Sequence, residues 1–72
     1  MRQPTDSDLA NDILTTLQKR PNHRMEAGAL KRSVLQGVDP RFQSLYYVAE
    51  QRLEISGKIK KGRGTYYDIC LR

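Results

Sequence analysis

Lys58, Lys60, Lys61 and Arg63 place four positive charges in six residues around a Gly62-Arg63-Gly64 turn. Ammonium and guanidinium groups at this density attract phosphate, and the glycines carry no side chains that would hold a polyanion off the backbone. The same cluster suits a purely structural task, because lysines on an exposed edge strand discourage sheet pairing. An arginine at the tip is not needed for that task. Nothing else in the chain suggests reaction chemistry. His23 is the only histidine and has no cysteine or second histidine at ligand spacing, so no metal is expected. Cys70 has no His or Cys partner nearby and reads as a structural thiol. No glycine-rich phosphate loop follows a strand, and the carboxylates are scattered over helices without a pocket to raise a pKa. Neither an enzyme nor a cofactor is expected.

Size and charge narrow the field further. A chain of 72 residues and 8.3 kDa is one domain at most, with a small core and no room for a large pocket. A lone cysteine excludes an intrachain disulfide and points to a reducing, intracellular setting. Apolar runs of two or three residues are far too short for a membrane helix, and no signal-peptide pattern opens the chain, so a cytoplasmic location without membrane contact is expected. The net charge of +5 is uneven: residues 1–18 carry Arg2 against Asp6, Asp8 and Asp12, leaving 12 basic against 5 acidic residues beyond them. A polyanion is the natural partner for that remainder.

The elements that must position the basic cluster follow from spacing and stop signals. Residues 1–5 are expected to form a loose tail and 6–72 the folded domain. A first helix over about 7–19 gathers Leu9, Ala10, Ile13, Leu14 and Leu17 on one stripe, with Thr5, Asp6 and Ser7 as candidate caps, and Pro21 stops it. A connector follows, with an extended stretch expected near His23 to Met25. A second helix over about 26–36 carries Ala27, Leu30 and Val34 inward and ends at Gly37. Asp39-Pro40 is a capping carboxylate before a first-turn proline and opens a third helix over about 40–56, closed by Gly57. Its apolar stripe is Phe42, Leu45, Tyr46, Ala49 and Leu53, with the Tyr46 hydroxyl expected to reach the surface. Gln43, Ser44, Tyr47 and Gln51 face away from it. Two strands, about 58–61 and 65–71, then form a hairpin in which Tyr67, Ile69 and Leu71 alternate with polar or small residues. The fold class is α+β.

Three helices, the last ended by glycine and followed at once by a basic glycine-tipped hairpin, resemble a winged-helix DNA-binding domain with a C-terminal β-hairpin wing. The most specific piece is Ala49-Glu50-Gln51-Arg52-Leu53-Glu54-Ile55-Ser56-Gly57-Lys58-Ile59 leading into Gly62-Arg63-Gly64-Thr65-Tyr66-Tyr67. It looks like the passage from recognition helix into wing, and the resemblance spans residues 6–71. It implies that the third helix lies in the major groove while the hairpin reaches phosphates or the minor groove.

On this basis double-stranded DNA is the expected partner and a small transcriptional regulator or nucleoid-associated architectural protein the expected role. Arg41, Gln43, Ser44, Tyr47 and Gln51 are the candidate groove contacts, and Lys58, Lys60, Lys61 and Arg63 the phosphate contacts. Lys31 and Arg32, with Arg24 just before their helix, are candidates where the second helix crosses the backbone. Glu50 and Glu54 leave the third helix nearly neutral, which favours wing-led or shape-led binding over strong base readout. The alternative is a winged-helix protein-interaction module, an adaptor or inhibitor of a larger complex, suggested by exposed Tyr47 and Val48 and by the acidic first helix. A homodimer is a further expectation, although no dimerisation helix is evident. RNA or single strands form a weaker one, from Tyr66 beside the basic hairpin.

Overall fold

A computed structural model describes residues 4–64 and 66–72. The chain runs α1 (Asp6–Gln18), β1 (Arg24–Glu26), α2 (Ala27–Val34), a 3₁₀ turn (Pro40–Phe42), α3 (Ser44–Ile55), β2 (Ile59–Lys61) and β3 (Asp68–Leu71). The three strands form one antiparallel sheet in the order β1-β3-β2.

Local chemistry fixes where each helix begins and ends. Thr5 caps α1 in a reciprocal box: its hydroxyl accepts from the Asp8 N–H, and its own N–H donates to the Asp8 carboxylate at 3.0 Å. The tail expected over 1–5 is therefore shorter, since Thr5 belongs to the helix start and Pro4 is buried. Residues 1–3 lie outside the described part. Glu26 caps α2, its carboxylate accepting from the N–H groups of Gly28 and Ala29 at 3.1 and 2.9 Å. Those two amides hold the Glu26 carboxyl below its ordinary pKa. α3 closes in a Schellman motif: Lys58 N–H bonds the Leu53 carbonyl and Gly57 N–H that of Glu54, with Gly57 at φ +78°.

Three expectations need correction. The helix expected over 40–56 is split: Asp39 caps a 3₁₀ turn through the Arg41 N–H at 2.9 Å, and the α-helix proper starts only at Ser44. Proline at the first position and the tight Asp39 cap favour a short turn with three-residue hydrogen bonds. The two-stranded hairpin is part of a three-stranded sheet, because the extended stretch at Arg24–Glu26 pairs with β3, Met25 opposite Ile69. The last strand begins at Asp68, leaving Tyr66 and Tyr67 in the connecting loop; Thr65 lies outside the described residues. The remaining bounds of α1, α2 and β2 move by one or two residues from expectation.

Leu9, Ile13 and Leu17 of α1, Leu30 and Val34 of α2, Tyr46, Ala49 and Leu53 of α3, and Met25, Ile59 and Ile69 of the sheet form one core cluster. The sheet thus covers one side of the helices and presents its hairpin directly beyond the end of α3. Among the described residues no helix is long and apolar enough to cross a membrane.

Candidate nucleic-acid interface

Strand alternation divides the basic hairpin into two sets. Ile59 is fully buried, so Lys60 points outward and Lys61, two residues on, returns to the core-facing side, opposite Ile69 in the register. There the Lys61 ammonium meets Glu50 of α3 at 2.6 Å and Glu54 at 4.0 Å. Lys58, Lys60 and Arg63 are exposed and have no ion-pair partner among the described residues. The structure therefore separates Lys61 from the other three cations with which its sequence groups it.

Among the described residues Glu50 is the buried charge, 3% exposed. Spacing accounts for its position: it lies four residues after Tyr46 and three before Leu53, on the core stripe of α3. Besides Lys61, it accepts a long hydrogen bond from the Tyr67 hydroxyl at 3.4 Å. Partial burial works against the Lys61 ammonium, but its hydrogen bond and charge attraction to Glu50 outweigh this and raise its pKa. Burial, helped by the Glu50 charge, also raises the Tyr67 phenol. Tyr46 is the more strongly affected tyrosine: burial first, and Glu50 second, push its phenol far above the ordinary value. Its hydroxyl does not reach the surface as expected; it is buried beside Glu50 and has no hydrogen-bond partner among the described residues.

The outward face of α3 and the turn before it carries Gln43, Ser44, Tyr47 and Gln51, all exposed. Val48 is exposed, as the protein-interaction alternative expected, and Ile55, which no expectation singled out, is exposed to 78%. Tyr47 is tied to α2: Lys31 hydrogen-bonds its hydroxyl and lies 4.6 Å from its ring centroid. Lys31, Arg32 and Gln43 line a cleft of about 480 Å³ together with Gly28 and Leu35, so α2 does bring two cations beside the start of the α3 face.

The remaining arginines are more committed. Arg41 folds back on Asp39 at 3.1 Å, with its side chain still largely exposed, and these contacts lower the Asp39 pKa. Arg24 pairs with Asp68 across β1 and β3 at 3.0 Å. Arg52 pairs with Asp6, joining α3 to the start of α1. The acidic start of α1 is in part balanced within the fold.

The candidate site thus comprises an exposed hairpin with three cations that have no ion-pair partner among the described residues, and an exposed α3 face flanked at its start by two cations on α2. Such a surface can hold phosphates electrostatically and offer hydrogen bonds from Gln43, Ser44 and Gln51. No family model, curated protein or solved structure shows a significant match to this chain.

Proposed function

We propose that this chain is a winged-helix domain that binds double-stranded DNA, with the Gln43, Ser44, Tyr47 and Gln51 face in the major groove and the hairpin on the phosphate backbone. The observation that carries this reading is the unpaired, exposed set Lys58, Lys60 and Arg63 on a hairpin that directly follows α3. The order of the helices and the turn at Gly57 support it too. Lys61 acts in this scheme as the tie between hairpin and helix, and Lys31, Arg32 and Arg41 add peripheral contacts. A regulatory or architectural role fits a surface with few base-reading charges.

Titrating a labelled generic duplex into the isotopically labelled chain at low salt tests the partner class. Amide shifts are expected at Lys58 to Arg63 and along 43–51. A second reading, a protein-docking module, draws on the exposed Val48 and Ile55 of α3. Silence at the hairpin under saturating duplex would overturn the first reading in favour of the second.

A further inference from the structure

Beside the basic cleft lies a second one of about 330 Å³, and the two share Gly28 and Lys31. The second is walled by Tyr47 of α3 and by Tyr66 and Tyr67 of the loop before β3, with Glu26 and Glu50 among its lining. A tyrosine-lined cleft thus adjoins one lined by Lys31 and Arg32.

The contents of the tyrosine cleft decide what it takes. Two rings already face cations of the chain itself, Tyr47 under Lys31 at 4.6 Å and Tyr67 near Lys61 at 5.8 Å. Both carboxylates are engaged, Glu50 by Lys61 and Glu26 by the first amides of α2. A cationic guest would find no unspent negative charge. What is unspent is the Tyr66 ring, 83% exposed at the cleft's edge, while Lys31 and Arg32 make the adjoining cleft positive. Absence of a side chain at Gly28 keeps the boundary low; an added Cβ there would come within 3.1 Å of the Glu26 carboxylate. A flat aromatic group joined to an anion has the matching chemistry.

We propose that these paired clefts hold one unpaired nucleotide, its base stacked on Tyr66 and its phosphate at Lys31 and Arg32. This inference rests on the nucleic-acid reading above and adds an unpaired base to the duplex as the preferred substrate. Base–tyrosine stacking is tolerant of sequence, so the preference concerns an extruded base and not a particular one.

The test compares fluorescence anisotropy titrations of three labelled DNAs: a perfect duplex, the same duplex with one bulged nucleotide, and a duplex with an abasic bulge. The bulged duplex is expected to bind about tenfold tighter than the other two, the scale of one base–aromatic stack. Tyr66→Ala should abolish that preference without weakening the perfect duplex, and Tyr66→Phe should keep it. Because Tyr66 is exposed, both variants should fold. Equal affinity for all three DNAs, or a preference that survives Tyr66→Ala, would overturn the paired-cleft proposal while leaving the duplex reading standing. Tyr66-dependent binding of the bulged DNA with no measurable binding of the perfect duplex would uphold the clefts and overturn the duplex reading. No binding of any of the three overturns both.

Discussion

The Nζ of Lys61 lies 2.6 Å from a carboxylate oxygen of Glu50, joining the turn-side end of β2 to the buried face of α3. One consequence is that a lysine in the middle of a basic sequence serves to fix the hairpin against the helix. The ion pair thus ties the hairpin to α3, while Lys60 and Arg63 stay exposed.

Removing one partner of this pair should cost more than removing both. Lys61→Met leaves Glu50 buried and uncompensated, for an expected loss of about 2 kcal/mol, below the range for fully buried pairs because the lysine is partly solvated. The double variant Lys61→Met with Glu50→Leu should recover most of that loss. Urea denaturation of the four forms checks the coupling, and additive effects would show that the pair is not a unit.

Alkaline pH should unfold the chain. Lys61, Tyr46 and Tyr67 all have raised pKa values in the fold. Folding therefore favours their protonated forms, and the stability they contribute is full below the unfolded values near about 10 and declines as pH climbs past them. Tyrosinate absorbance should rise together with loss of helical circular dichroism. Tyr46→Phe removes the largest of these effects and deletes a buried hydroxyl without a partner, so it should be neutral or stabilising by about 1 kcal/mol and shift alkaline unfolding upward. A marked loss of stability in Tyr46→Phe would contradict this account of the hydroxyl.

Gly57 holds φ +78° with open space around its missing Cβ, so only backbone strain opposes a side chain there. Gly57→Ala should cost about 1 kcal/mol through that strain. Gly57→Asn, which tolerates the left-handed region better, should cost less. Thermal denaturation of the two variants distinguishes this from a packing effect, which would penalise the larger side chain more.

At acid pH the weak points are the caps. The Glu26 and Asp39 carboxyls both lie below their ordinary pKa values, held by amide hydrogen bonds and, for Asp39, first by the Arg41 side chain. Their stabilisation is complete above the unfolded carboxylate range and is lost as pH falls through the lowered values. Protection of the Gly28 and Ala29 amides, taken relative to their intrinsic exchange rates at each pH, should fall as Glu26 is protonated, and Glu26→Ala should remove that fall.

Much of this architecture was legible in the residues themselves. Thr5 and Pro21 bracket α1 by local chemistry that needs no tertiary context, whereas Asp39-Pro40 opens the 3₁₀ turn and not α3, and Gly37 lies three residues beyond the end of α2. β1 was only faintly legible, because a three-residue strand becomes one through its partner, and β3 is 44 residues away at the Arg24–Asp68 pair. For the site, the exposure of Lys58, Lys60 and Arg63 is legible in the sequence, whereas Lys61, grouped with them by charge, turns inward to Glu50. Counting by two from Ile59 and by four from Tyr46 puts both inside. The paired clefts depend on how the loop before β3 folds over α2, which no local pattern specifies.

In the proposed DNA-bound state, Lys58, Lys60 and Arg63 hold phosphates while Lys61 does not. Measuring duplex affinity across a salt series tests this most directly. Each lost phosphate contact should flatten the slope of log K against log salt by about 0.9, so Lys60→Ala with Arg63→Ala should flatten it by about 1 to 2 while leaving the melting temperature nearly unchanged. Lys61→Met, by contrast, should lower stability with little change in slope. An unchanged slope and affinity in the double variant would contradict the account.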